Sequence, residues 1–456
     1  MDLSRWLLRA VDEHEAWTEQ FGEPVRHSAT AVDERQLEDA FQRLGKALAT
    51  CYPFFHPRYA GQMIKPPHPV AVVGQLAAML VNPNNHALDG GPATTALEEE
   101  AIGLLAGMVG FATPLGHLTG GGTMANLEAL FVARESHPHL GVAASAEAHY
   151  TQTRMCHLLG MQIHQVPADE HGRMDQAALR ELLATGRVGT VVATAGTTGT
   201  GAVDPIHTIV DLARDAGARV HVDAAYGGFF RLLADEPDRP LGDPDPWRAI
   251  SRCDSVVVDP HKHGLQPYGC GAVLFADPEV ARFYRHDSPY TYYTSGRPHL
   301  GEISLECSRP GAAAAALWLT LQVFPLTASG LGSVLAPGRR AAVRWSALLE
   351  DSPELELFQQ PDLDIVTYFP ATPVRTMGAV DRAAQALSDR CSVSSDPLYV
   401  SVSRASAQAF TKRPLGVAAD LPEARILRSV LMKPEAEIYL GQMHSRLEEE
   451  ARALRA

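Results

Sequence analysis

From about residue 115 onward, short β-branched runs alternate with helical stretches, and this alternation constrains the fold more than any other feature. The runs at 141–145, 162–166, 190–193, 219–222, 255–258 and 272–275 have the length of strands, and 206–216 reads as a helix between two of them. Strands separated by helices form a mainly parallel sheet covered on both faces. A shorter unit follows after about residue 335. Its candidate strands at 354–358, 365–368, 399–403 and 426–431 indicate a small α+β domain. Ahead of the sheet the first fifty residues read as helices, with Leu37, Phe41, Leu44 and Leu48 on one face. A second apolar helix is expected over 70–80. A third is expected over 97–109, started by Thr94 or Thr95, with Glu98 to Glu100 near its positive end. The expected division is an N-terminal helical segment (1–92), a large domain (93–335) and a small C-terminal domain (336–456).

Charge and cysteine usage narrow the function. A net charge of −14 disfavours nucleic acid and anionic membrane as partners, because both need basic patches. The six cysteines are scattered, with no C-x-x-C pair for zinc or dithiol chemistry. The first residues mix Arg5, Arg9, Asp12, Glu13 and Glu15 with apolar ones, unlike a signal peptide. No stretch approaches the roughly 20 apolar residues of a membrane span. The expected location is cytoplasmic.

Five strand-to-loop junctions carry chemistry. The strand at 255–258 delivers Asp259, Pro260, His261 and Lys262. A lysine at the carboxyl end of a buried strand lies where open α/β sheets gather ligands, and it is costly to bury unless it is paired or used. The strand at 219–222 delivers Asp223, followed by Ala224, Ala225, Tyr226 and two glycines. Gly120, Gly121, Gly122 and Thr123 precede an apolar helix, an arrangement whose backbone N–H groups bind phosphate. His149 and Thr194 follow two further strands. Each signal alone is more often an ordinary turn, cap or surface residue. Together they supply what pyridoxal 5′-phosphate (PLP) requires: an amine, a carboxylate for the ring nitrogen, a phosphate cup and groups for the ring faces. Neither G-x-G-x-x-G nor G-x-x-x-x-G-K-[ST] occurs, which counts against nicotinamide and nucleoside triphosphate enzymes.

The ordered motifs G-G-G-T-x-A-N, A-H-Y, T-x-G-T-T-x-x-G-A-x-D-P, H-V-D-A-A-Y-G-G and D-P-H-K resemble those of the PLP-dependent group II amino acid decarboxylases, the family of glutamate and aromatic L-amino acid decarboxylases. The resemblance implies an α/β, fold type I PLP-dependent transferase-like architecture. That means a mainly parallel seven-stranded sheet in the large domain plus a small C-terminal α+β domain, and a homodimer with composite active sites. It implies that Lys262 carries PLP, Asp223 faces the pyridine nitrogen, and Ala225 and His149 cover the two ring faces. Gly122, Thr123 and His261 would hold the phosphate, with Thr194 near the ring. It implies Arg428 for the substrate carboxylate, and Gln62, Met63 and, from the partner subunit, His86 near the substrate side chain.

Two departures from the family pattern stand out. Asp259 replaces an asparagine that many members carry near the phosphate, and it would repel phosphate unless it turns away. The best match to a mobile loop that carries a proton-donating tyrosine is 321–326, which offers Phe324 instead; phenylalanine there accompanies aldehyde-forming chemistry in related enzymes. His149 or Tyr290, Tyr292 and Tyr293 remain alternative donors. The expected reaction is decarboxylation of an L-amino acid to its amine, and the aromatic segment 51–63 leans toward an aromatic substrate. An aldehyde-forming decarboxylase-oxidase, a retro-aldol lyase and a non-catalytic PLP-fold binding protein are the alternatives.

Overall fold

The computed structural model describes residues 1–23, 25–238, 240–284 and 299–455. Its strands are β1 (Leu115–Thr119), β2 (Gly141–Ser145), β3 (Ile163–Val166), β4 (Val188–Thr194), β5 (Arg219–Asp223), β6 (Ser255–Val258), β7 (Gly271–Phe275), β8 (Leu355–Gln359), β9 (Ile365–Pro370), β10 (Ser401–Ser406) and β11 (Glu423–Val430). The first seven form one sheet in the order β1-β7-β6-β5-β4-β2-β3. Strands β2 to β6 run parallel, and β7 is antiparallel to both of its neighbours. The last four form an antiparallel sheet in the order β10-β11-β9-β8. The architecture is fold type I, as the motifs imply.

Burial explains why the central strands read as continuous apolar runs. All seven residues of β4 are buried, as they must be when helices cover both faces. Helix Ile206–Asp215 lays Ile206, Ile209, Val210 and Ala213 against the sheet, one stripe at helical spacing. Strand β1 has no such signal. Gly116 and His117 interrupt it, and it is held by antiparallel pairing with β7. Its buried His117 is paired with Glu128 at 2.9 Å.

Helix Gly332–Glu350 ties the two sheets together. Leu335 belongs to the core under the large sheet, whereas Ala341, Ala342, Trp345 and Leu349 belong to the core of the small one.

Two local expectations are corrected. Helix Pro92–Val109 begins at Pro92, ahead of Thr94 and Thr95. Proline has no N–H to lose at a first helical position and its φ is already helical, so it starts the helix more effectively. Glu98 does not lie on an exposed first turn. It is buried, accepts a hydrogen bond from Leu118 N at 2.9 Å and pairs with Arg309 at 3.2 Å. The second correction concerns Phe324. Residues up to Val323 belong to helix Gly311–Val323, and the Phe324 ring packs edge-on against His68 at 4.8 Å. In this chain it ends a helix beside the main core, so it is not a loop-tip residue at the cavity described below. Tyr290, Tyr292 and Tyr293 lie outside the described residues.

Candidate active site

The carboxyl ends of β2, β4, β5 and β6 and the loop after β1 surround one cavity of about 320 Å³. Its lining brings together Gly122, Thr123, His149, Thr194, Asp223, Ala225, His261 and Lys262, residues that are up to 140 positions apart in sequence. Tyr226, Asp259, Tyr268, Asn126 and Thr151 also line it.

The glycine loop is shaped for an anion. Gly121 has φ +139°, a conformation open to glycine, and helix Gly122–Ser136 starts with no side-chain cap on its first-turn N–H groups. The backbone also approaches its neighbours closely. A Cβ on Gly122 would lie 2.7 Å from Asp259 Oδ2, and one on Gly271 would lie 2.6 Å from Gly121 Cα. Across the cavity, Lys262 Nζ lies 3.1 Å from Asp259 Oδ2, and His261 Nε2 lies 3.6 Å from the same oxygen. Asp259 therefore does not turn away. It is buried at the rim of the glycine loop, with Lys262 as its counter-ion.

Asp223, at the end of β5, is held at both oxygens. Ala225 N donates to Oδ1 at 3.2 Å and Gln152 Nε2 to Oδ2 at 2.9 Å. Thr194 Oγ1 is buried and has no hydrogen-bond partner among the described residues. His149 is oriented by Thr151, whose backbone N–H donates to Nδ1 at 3.3 Å and whose Oγ1 lies 2.7 Å from the same atom. Nδ1 is thus an acceptor, and the neutral ring carries its hydrogen on Nε2. Burial holds the His149 pKa below the usual imidazole range, outweighing Asp223. The His261 pKa is lowered for the same first reason.

The expected substrate residues do not reach this cavity in the single chain. Arg428, on β11, is buried. Its Nη1 reaches Gly61 O at 3.4 Å, while Nε and Nη2 have no partner among the described residues. Burial lowers its pKa, and Tyr226, Asp364 and Tyr59 are the groups whose charges bear on it. Gln62 is exposed. Met63 packs against the core and touches the cavity wall through its carbonyl, which accepts from the Tyr268 hydroxyl at 3.0 Å. His86 is half-buried, and its carbonyl accepts from Gly301 N. The aromatics at 51–63 are largely spent on each other: Tyr52, Phe54 and Tyr59 pack together and against Tyr399 with centroids 4.8 to 6.3 Å apart.

Sequence reasoning missed Gln152, Tyr268 and Asp364, and gave Asn126, the last residue of the glycine motif, no role. Asp364 accepts from the Tyr226 hydroxyl at 2.6 Å behind the cavity wall, and burial pushes its pKa up to about 6. Gln152 stands three residues after His149, the only sequence hint of its place.

An uncapped glycine loop, a strand-end carboxylate and a lysine facing one another across a fold type I sheet define a PLP enzyme. The orphaned Thr194 hydroxyl and the tight glycine cradle fit that cofactor. The pyridoxal-dependent decarboxylase conserved domain matches residues 26–369, and the chain belongs to that family. It is 34% identical over 265 residues to a probable L-aspartate decarboxylase of Halobacterium salinarum, covering 57% of this chain and 71% of the relative. It is 28% identical to the L-tyrosine decarboxylase of Enterococcus faecium, covering 94% of this chain and 89% of the relative. Among solved structures, Oryza sativa TDC with PLP and tryptamine superposes with a TM-score of 0.80 at 19% identity, covering 99% and 98% of the two chains. Mouse CSAD superposes with a TM-score of 0.77 at 21% identity, covering 98% of each. The protein is a PLP-dependent carboxy-lyase acting on an amino acid. Among the described residues no helix is long and apolar enough to cross a membrane.

Proposed function

We propose that the chain converts an L-amino acid to its amine and CO₂, with PLP carried on Lys262. The observation that carries this reading is the convergence of Lys262, Asp223, His149 and the Gly120–Gly122 loop on one cavity. Bound there, PLP supplies a ring that accepts the electron pair left behind as the carboxylate departs. The chain's residues do the rest. First-turn N–H groups after Gly121, with Thr123 and His261, would hold the phosphate, and Asp223 would keep a proton on the ring nitrogen. Ala225 and His149 would cover the ring, and Thr194 would offer its unspent hydroxyl to it. Arg428 lies outside the cavity lining but near its wall residue Tyr226, and its unspent Nε and Nη2 would take the substrate carboxylate if the bound amino acid reaches past that wall. As the bond to the carboxylate breaks, a proton would take the place of CO₂, and His149, which lines the cavity, could pass it on only after taking one up from solvent, since burial favours its neutral ring.

Two side-chain classes have support. The tyrosines Tyr226 and Tyr268 in the cavity wall and the Enterococcus faecium relative support an aromatic substrate. Lys65, Arg428 and Lys433 gather around Asp364 and Glu435, and this excess of cations supports an acidic one, as in the Halobacterium salinarum relative.

The reading also includes a homodimer. Leu37, Phe41, Leu44 and Leu48 lie on one face of helix Glu34–Leu48, each at least 50% exposed, and a second copy would cover them. In that arrangement 1–92 builds the dimer and lends His86 to the partner's cavity, 93–335 holds PLP, and 336–456 supplies Arg428.

The test is to incubate PLP-loaded protein with a panel of aromatic, acidic and basic L-amino acids and identify products by mass spectrometry. An amine lighter than its parent by CO₂, absent with Lys262→Ala, is expected. An aldehyde with oxygen consumed would overturn simple decarboxylation, and full turnover by Lys262→Ala would overturn the role of Lys262.

A further inference from the structure

Behind Asp223 runs a buried chain of hydrogen bonds that the reaction as described does not use. Gln152 Nε2 donates to Asp223 Oδ2 at 2.9 Å and to Asn126 Oδ1 at 2.8 Å. Two acceptors face one end of the Gln152 amide, so that end must be the NH₂ group. His221 Nε2 lies 2.9 Å from the same Asn126 oxygen and therefore carries a hydrogen. Its Nδ1 is then the acceptor for Ser255 Oγ at 2.9 Å. Asn126 Nδ2 donates to Gly122 O at 2.8 Å, at the first residue of the helix that follows the glycine loop. Every residue in this chain is buried except Gly122, which is half-buried. Every member but Asp223 is neutral, because burial pushes the His221 pKa down to about 4.

We propose that Gln152 is a positioning residue that fixes the Asp223 carboxylate toward the ring nitrogen and, through Asn126, couples it to the glycine loop that takes the phosphate. Gln152 has the geometry for this and no other visible use. It is 1% exposed, its Nε2 hydrogens are both spent on the chain, and its Oε1 has no partner among the described residues. The hydrogen bond occupies one lone pair of Oδ2 and stops the carboxylate from turning about its Cβ–Cγ bond. The remaining lone pairs stay aimed into the cavity. One side chain thus holds the two ends of the cofactor site in register. This inference rests on the reading that Asp223 serves the ring nitrogen.

The test uses Gln152→Leu and Gln152→Glu, purified without cofactor and titrated with PLP, following affinity and the pH dependence of the bound cofactor's visible absorbance. Removing a hydrogen bond to a charged group should weaken PLP binding about ten- to a hundredfold in Gln152→Leu and shift the absorbance midpoint. In Gln152→Glu the new carboxyl faces Asp223 and Asn126, with His221 one hydrogen bond further along and His149 and Lys262 on the cavity side. Protonated, it can still donate to Asp223; ionised, it repels Asp223. Its PLP affinity should therefore approach wild type at acid pH and fall as pH rises, while wild type changes much less. Unchanged affinity and absorbance in Gln152→Leu, or a Gln152→Glu deficit equal at all pH values, would overturn the proposal. If Gln152→Leu does not fold, Gln152→Glu alone decides. Asp223→Asn separates the two levels of the argument. If it leaves affinity and absorbance unchanged, the reading of Asp223 fails; if it disturbs both while the Gln152 variants do not, only the role of Gln152 fails.

Discussion

Replacing Gly122 by alanine puts the geometry of the glycine loop under a direct test. The new methyl group would sit 2.7 and 3.1 Å from the two Asp259 oxygens and 3.2 Å from Ala225 Cβ. Asp259 cannot simply swing aside. It is 2% exposed, and Oδ2 is the counter-ion of Lys262 Nζ at 3.1 Å. Overpacking of this kind costs about 1–3 kcal/mol. Alanine recovers about 0.5–1 kcal/mol of the backbone entropy that glycine loses in a helix. The cofactor-free protein should therefore lose roughly 1–2 kcal/mol. The methyl also intrudes on the cup, so PLP affinity should fall by about tenfold or more, or about 1.4 kcal/mol. The assay is urea denaturation of cofactor-free protein with a fluorescence titration of PLP. Gly441→Ala in helix Ala436–Arg455, where a Cβ meets nothing within 4 Å, is the control and should stabilise slightly without changing affinity. A Gly122→Ala protein with wild-type stability and wild-type PLP affinity would refute the close approach of the loop, Asp259 and Ala225.

Asp259→Asn removes a negative charge from the rim of the glycine loop, the proposed phosphate site, and an ion pair from Lys262. PLP should bind more tightly and the cofactor-free protein should become less stable; weaker PLP binding in the same titration would contradict this. His221 takes up a proton near pH 4 when folded and near 6.5 when unfolded. The unfolded chain binds the extra proton between those values, so this group's contribution falls as pH drops from 6.5 toward 4, by about 3 kcal/mol in full. Asp364 acts in the opposite sense over an overlapping range, because its folded pKa is raised to about 6. The difference in unfolding free energy between wild type and His221→Asn isolates the histidine, and an equal pH slope in both proteins would contradict the assignment. Arg428→Lys should raise KM for the amino acid about tenfold or more, because a lysine cannot present the planar fork, while PLP affinity stays unchanged; an unchanged KM would remove Arg428 from the site.

Much of the large domain was legible because its central strands are buried on both faces. Strands β2 and β6 are read from sequence to the residue, and β5 to within one. Strand β1 was not, since Gly116 and His117 erase its pattern and it is held by long-range contacts: pairing with β7, Leu118 N to Glu98, and His117 to Glu128. The eight residues that line the cavity were legible because six of them follow or end strands read from the sequence, and Gly122 and Thr123 belong to a glycine run before a helix. The chain behind Asp223 was not legible. Gln152 meets Asn126 across 26 residues and Asp223 across 71, and no local spacing records such contacts. The 321–326 segment was misread because its apolar run continues a helix before Phe324 turns onto His68. The aromatic segment 51–63 suggested a pocket, whereas its rings pack mainly on Tyr399 and on each other.

The most direct test of the central claim is to reduce the PLP-loaded protein with borohydride, which makes the carbon–nitrogen link to the lysine permanent, and then map the labelled peptide by mass spectrometry. Two other amines compete on chemical grounds: burial pushes the pKa of both Lys65 and Lys433 down to about 8, leaving each partly neutral and nucleophilic. Label is expected on Lys262 alone, and is lost in Lys262→Ala. Label on Lys65 or Lys433 in the wild-type protein, or none at all, would contradict it.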